Sequence, residues 1–186
     1  LHSYPTRPLA GRRVVVVGSG PGGLRCAIEA RLLGAEVLIV EKRTSFSRHN
    51  VLVLWRGIVD DLHALGLKEL YKQFGSGSSE KLCIRRMQSL LLKLALLLGA
   101  ELTIGCEFAA LVPPCRETNG SGVSSHWRAL LRRHVESAGS ACRGVECDHL
   151  VGADGEHSRV RESVGFGGTL VSFSNALGIT FNLVNS

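Results

Sequence analysis

Aromatic residues are scarce in this chain: Phe, Trp and Tyr make up 5% of its 186 positions. A surface dedicated to nucleic acid adds stacking rings to clustered charge. Here rings are few and the basic residues scattered, so no nucleic-acid partner is expected. None of the six cysteines (Cys26, Cys83, Cys106, Cys115, Cys142 and Cys147) forms a C-x-x-C pair, and no histidine stands at zinc-finger spacing. That sets aside a structural zinc site, and no metal is expected. Long apolar runs are missing too. The longest, Leu90 to Leu98, is broken by Lys93 and falls well short of the roughly 20 residues that cross a bilayer. No secretory pattern is visible. The even cysteine count therefore reads as reduced, mostly buried thiols of a cytoplasmic protein rather than as a disulfide framework.

What is present suits a folded domain. Hydrophobic residues make up 45% and charged residues 20%, which excludes wholesale disorder. The net charge of +6 and the pI near 9.3 favour acidic partners such as nucleotide phosphates or an acidic protein. The chain starts at Leu1 rather than Met, and the expectation is of a fragment: a lead-in loop over 1–11, then the N-terminal part of a larger domain over 12–186.

Arg13 to Val17 is a continuous β-branched run, as in a strand covered on both faces. Leu24, Ala27, Ile28 and Arg31 repeat at helical spacing up to Leu33, and Gly34 supplies a stop. Glu36 to Val40 is a second buried strand. The unit is strand–turn–helix–strand, which closes right-handed with parallel strands. Beyond it, residues 42–56 read as a polar loop ending in Val51 to Trp55. Asp60 to Leu65 and Leu67 to Phe74 read as short helices broken at Gly66, and Gly75 to Ser79 as a turn. A strong helix runs from Arg85 to Leu98. Strands are expected at Glu101 to Ile104, Phe108 to Val112, Trp127 to Val135, Asp148 to Val151, Leu170 to Phe173 and Leu177 to Leu183, with a loop over 116–125. The fold class is α/β: a Rossmann-like domain with a central parallel sheet and an additional β-sheet element, incomplete as it stands.

The decisive stretch is Val14-Val15-Val16-Val17-Gly18-Ser19-Gly20-Pro21-Gly22-Gly23. Gly18, Gly20 and Gly23 match G-x-G-x-x-G. The first glycine turns the chain out of the strand, the second keeps side chains away from a pyrophosphate, and the third lets the helix sit close to the sheet. The helix N-terminus then offers N–H groups and partial positive charge to phosphates. Three glycines alone are weak evidence. Between a buried strand and a helix they are in the required context. Glu41 closes the next strand, where a carboxylate accepts hydrogen bonds from the adenosine ribose and repels a 2′-phosphate.

A second motif selects the cofactor. Gly152-Ala153-Asp154-Gly155 follows a short apolar strand and continues as Glu156-His157-Ser158-Arg159-Val160-Arg161. This resembles the D-G-x-x-S-x-x-R pattern of the aromatic-hydroxylase class of FAD monooxygenases. The resemblance implies that Asp154 lies near the cofactor pyrophosphate and the nicotinamide nucleotide, with Ser158 at a helix N-terminus and Arg161 available to cap or pair with Asp154.

A more specific resemblance lies between the motifs. Glu41-Lys42-Arg43-Thr44-Ser45-Phe46-Ser47-Arg48-His49-Asn50-Val51-Leu52 resembles the E-K-R-x-x-F-S-R-x-N-V-L stretch of the MICAL flavoprotein domain. The likeness continues through Trp55, Asp61-Leu62, Leu65-Gly66, Ile84-Arg85, Gln88, Lys93 and Trp127-Arg128-Ala129 to Ile179-Thr180. It implies an NADPH-dependent FAD monooxygenase that oxidises methionine side chains of actin, promotes filament disassembly and is associated with the cytoskeleton. By position it implies FAD contacts at Gly22, Glu41, Lys42, Arg43, Arg48, His49, Asn50 and Phe108. The departures are Val53, Arg56 and Gly22, where that family has His, Pro and Cys. The competing expectations are a small-molecule FAD hydroxylase and a truncated, non-catalytic relative that binds actin or another partner. The histidines form no triad-like set, and no catalytic residue is assigned.

Overall fold

The computed structural model describes residues 6–48, 50–67, 80–114, 126–133 and 143–168. In chain order the elements are β1 (Arg13–Val17), α1 (Pro21–Leu32), β2 (Glu36–Glu41), β3 (Val51–Leu54), α2 (Arg56–Ala64), β4 (Glu80–Cys83), α3 (Ile84–Leu97), β5 (Glu101–Ile104), β6 (Cys106–Val112), β7 (Trp127–Arg133), β8 (Arg143–Cys147), β9 (His149–Gly152) and α4 (Arg159–Ser163). They fall into two compact units. The first is Leu1–Phe46 with Gln88–Gly167; the second is Ser47–Met87 with Gly168–Ser186.

The first unit is built on a parallel sheet in the order β5-β2-β1-β9. Val14 to Val17 are all buried because both faces of β1 are covered. Alternation along the strand sends Val15 and Val17 one way and Val14 and Val16 the other. Val15 and Val17, with Val40 of β2, pack against Phe108, Ala129 and Leu131 of an antiparallel sheet, with Cys147 and Val160 closing the cluster. That second sheet has the order β6-β7-β8. On the opposite face, α1 buries Leu24, Ala27 and Ile28. Each fully buried aliphatic side chain contributes about 1.5–3 kcal/mol, so the two β1 faces together anchor the unit. The α1 helix ends where expected. The Gly34 N–H donates to the Arg31 carbonyl, and the Ala35 N–H reaches back to Ala30, with Gly34 at φ 99°.

The second unit holds α2 and an antiparallel pair in which Val51 faces Cys83 and Leu54 faces Glu80. The α/β class, the parallel sheet and the additional sheet agree with the sequence reading. Several details differ. Val51 to Leu54 is a strand rather than the end of a loop, and β4 and β8 were not expected at all. These strands are short and carry few β-branched residues; β8 reads Arg-Gly-Val-Glu-Cys. Pairing with a neighbour, not propensity, makes them strands. Helix α2 starts at Arg56, four residues before the expected Asp60, because Gly57 in its first turn resembles a breaker yet is tolerated there. The strand expected to reach Val135 is described only to Arg133. Of the helix expected over Leu67 to Phe74, only Leu67 is among the described residues. The turn Gly75 to Ser79 and the strands Leu170 to Phe173 and Leu177 to Leu183 lie outside them. The loop over 116–125 does too.

Candidate dinucleotide site

Strand β1 delivers the chain into a turn that only glycine can make. Gly18 has φ 103°. Its N–H donates to the Val40 carbonyl at 2.8 Å, while the Ala153 N–H donates to the Val17 carbonyl at 2.8 Å. The turn is thereby held between the ends of β2 and β9. A Cβ on Gly18 would sit 2.3 Å from the Ala153 carbonyl oxygen, and one on Gly23 would sit 2.1 Å from the Gly18 oxygen. Both positions are closed by backbone. Gly20 and Gly22 are different: among the described residues a Cβ at either would meet nothing within 4 Å. The close packing that the sequence assigned to Gly23 is seen in the geometry, and the space beside Gly20 is clear among the described residues.

The space beside Gly20 and Gly22 lies at the N-terminus of α1. Gly20 is the N-cap, Pro21 follows, no side chain among the described residues caps the helix and no acidic residue stands in its first turn. The first amides of a helix have no intrahelical acceptor, and the dipole adds partial positive charge there. Backbone N–H groups, positive potential and clear space together can hold a phosphate or pyrophosphate.

Glu41 closes β2 beside the turn and is buried. Its Oε2 accepts from the Ser19 N–H at 3.0 Å and from the Ser19 hydroxyl at 2.6 Å. Its Oε1 accepts from the Arg43 N–H at 2.9 Å. Burial alone would raise this carboxyl. Hydrogen bonds from the Ser19 hydroxyl and the Arg43 and Ser19 amides, with the Arg43 charge, outweigh burial and hold it below the ordinary value. The group is therefore an ionised acceptor that faces the glycine turn. Two of the roughly four acceptor positions on a carboxylate are filled on Oε2, and one remains on Oε1.

The other expected residues separate into groups. Lys42 and Arg43 are exposed just past Glu41. Arg48 and Asn50 belong to the second unit, where both are exposed, and His49 lies outside the described residues. Phe108, expected to place a ring near the cofactor, is 1% exposed and packs inside the core between the two sheets of the first unit. In this arrangement its surface is spent on packing. Asp154 follows β9. Its carboxylate accepts from the Ser158 hydroxyl, from the Arg159 N–H at 2.7 Å and from the Val160 N–H at 3.3 Å. Ser158 caps α4 by accepting from the Arg161 N–H at 3.1 Å, as its place after the D-G pair suggested. The Arg161 guanidinium does not pair with Asp154. It donates to the Glu156 carbonyl at 2.9 Å, because the Asp154 oxygens are already satisfied by the hydroxyl and the helix amides.

Two residues in the site carry structure that sequence reading did not assign. Ser19 is fully buried, and Gln88 of α3 is 7% exposed with its Nε2 3.1 Å from the Ser19 carbonyl oxygen. A signal was available: Gln88 interrupts the apolar stripe of Ile84, Met87, Leu91 and Ala95. The thiols correct another expectation. Among the described residues Cys26, Cys83, Cys106 and Cys147 are in no disulfide, and of these only Cys147 is buried; its burial raises the thiol. Cys115 and Cys142 lie outside the described residues. The half-exposed sites lie at element edges, where covering is partial. Among the described residues no three metal-ligating side chains converge, and no helix is long and apolar enough to cross a membrane.

Comparison with known proteins places this geometry in context. The FAD binding domain family matches residues 13–52, the stretch containing both the glycine turn and Glu41. The chain is 45% identical over 184 residues, 96% of its length, to the F-actin monooxygenase MICAL1 of Bos taurus, and spans 16% of that protein. It is 37% identical over 179 residues, also 96% of its length, to the protein-methionine sulfoxide oxidase mical3a of Danio rerio, and spans 8% of it. Among solved structures it resembles the OxyS anhydrotetracycline hydroxylase from Streptomyces rimosus with a TM-score of 0.66 and 27% identity. That match covers 83% of this chain and 34% of the hydroxylase.

Proposed function

Because this chain belongs to the MICAL family of FAD monooxygenases, we propose that it forms the adenosine-side FAD site of a monooxygenase that takes electrons from NADPH and oxidises methionine side chains of actin. Residues 12–186 are then the N-terminal part of a larger flavoprotein domain, working in the cytoplasm on the cytoskeleton. The observation that carries this reading is the clear space over Gly20 and Gly22 at an uncapped helix N-terminus, with the buried Glu41 carboxylate alongside.

The residues present fit the group. The first-turn amides of α1 would hold the pyrophosphate. The Glu41 Oε1 edge would accept a ribose hydroxyl, and its charge would disfavour a 2′-phosphate there. Lys42 and Arg43 would offer cations beside the phosphates. Bound FAD supplies the electron transfer and oxygen chemistry; this chain's task is to hold and orient it.

A second reading is an FAD hydroxylase of small molecules. It is favoured by the likeness to an anhydrotetracycline hydroxylase and by Ser158 serving as the cap of α4. One assay separates the two. Protein loaded with FAD is expected to oxidise NADPH faster when filamentous actin is added. A flavin-loaded protein indifferent to actin but stimulated by aromatic compounds would favour the second reading. A protein that takes up no flavin would overturn both.

A further inference from the structure

Behind the cradle runs a buried polar relay that the proposed chemistry does not use. Gln88 occupies a position on α3 where the surrounding stripe is apolar. An amide there loses its hydration and must regain a partner. It finds one in the Ser19 carbonyl, 3.1 Å away. Ser19, 0% exposed, then passes the constraint on, because both its N–H and its hydroxyl donate to Glu41 Oε2. Three buried groups from α3, the glycine turn and β2 are thus tied in series.

Peptide planarity gives this relay a consequence. The described residues contain no cis peptide, and in a trans peptide the carbonyl of one residue and the N–H of the next point in opposite directions. Fixing the Ser19 carbonyl toward Gln88 fixes the Gly20 N–H away from it. Among the described residues nothing stands within 4 Å of a Cβ placed on Gly20, so the residue that carries this N–H is open on its Cβ side.

We propose that Gln88 is a positioning residue for the dinucleotide site: its side-chain amide sets the Ser19–Gly20 peptide plane, and Ser19 in turn sets Glu41. This rests on the FAD reading above for its ligand but not for its geometry. It explains why α3, a helix remote in sequence from the fingerprint, spends a core position on a polar residue.

The test uses Gln88→Met, which keeps length and drops the donor, in the whole chain. The Gly20 amide chemical shift is read by NMR without ligand, and the affinities for FAD and for ADP are read by calorimetry. Leaving a buried carbonyl unpaired is expected to displace the Gly20 amide resonance and to weaken binding of both ligands roughly 10-fold. Gln88→Glu supplies a signature that simple packing would not give. Its buried carboxyl, when ionised, opposes the Ser19 carbonyl, and when protonated donates to it. FAD, whose doubly esterified pyrophosphate does not titrate in this range, is the ligand for the profile: the affinity of that variant relative to the wild type is expected to rise between pH 8 and pH 6. A wild-type Gly20 amide shift together with wild-type ADP affinity in Gln88→Met would overturn the proposal. Should Gln88→Met fail to fold, a flat pH profile in Gln88→Glu would overturn it instead. Wild-type protein that binds neither FAD nor ADP would sink the flavin reading, and the Gly20 amide shift would still decide the positioning role.

Discussion

The first unit contains the same local construction twice, strand to turn to helix, and completes it in opposite ways. After β1, the helix N-terminus is left open by the described residues: no side-chain cap, no acidic residue in the first turn, and clear space at Gly20 and Gly22. After β9, the helix N-terminus is closed by the chain itself. Asp154 takes the amides of Arg159 and Val160, and Ser158 takes that of Arg161. The two are also joined, since Ala153 hydrogen-bonds to Val17 and crowds Gly18. A helix N-terminus becomes a ligand site only where the sequence withholds its own cap. The self-capped turn acts instead as the wall that shapes the open one.

Substitutions can break this contrast, and the largest effect belongs to the wall. Gly18→Ala would force a side chain into φ 103° and against the Ala153 carbonyl. A loss of about 3 kcal/mol or more is expected in denaturant unfolding. Glu41→Gln removes the charge that three hydrogen bonds converge on, and a loss of about 2 kcal/mol is expected near neutral pH. The pH dependence carries a sign. The Glu41 carboxyl is lowered in the folded chain, so its contribution is complete above the unfolded value of about 4.3 and fades as pH falls through the lower folded value. Unfolding free energy measured from pH 5 downward is therefore expected to fall less steeply in Glu41→Gln than in wild type.

Much of this was legible in the sequence for a physical reason. The valine run, the three spaced glycines and Glu41 each answer a local demand: a strand covered on both faces, a turn, an acceptor at a strand end. Local demands leave local signatures. Ser19 and Gln88 did not show their roles, because each is defined by a partner far away in the chain. Gln88 acquires meaning only when α3 is laid beside Ser19. The strands β4 and β8 were missed likewise, since cross-strand pairing creates them.

Smaller effects sharpen the comparison. Asp154→Ala removes the closure of α4, and a loss of about 1 kcal/mol is expected in thermal or denaturant unfolding. Gly22→Glu should act with the opposite sign on stability and binding. An anionic side chain beside the open α1 N-terminus is expected to stabilise by about 0.5 kcal/mol. The same side chain, occupying space that is clear in the wild type, should abolish FAD binding in a calorimetric titration. A destabilised variant that still binds would show that this space is not where the ligand sits.

The difference between the two helix starts can be read in a single titration. Amide chemical shifts of Gly22 and Gly23 on one side, and of Arg159 and Val160 on the other, are followed by NMR as FAD is added. Large saturable changes at the glycines, with Arg159 and Val160 nearly still, are expected if the uncapped end of α1 receives the pyrophosphate. Changes centred on Arg159 and Val160 with Gly22 and Gly23 unmoved would contradict it.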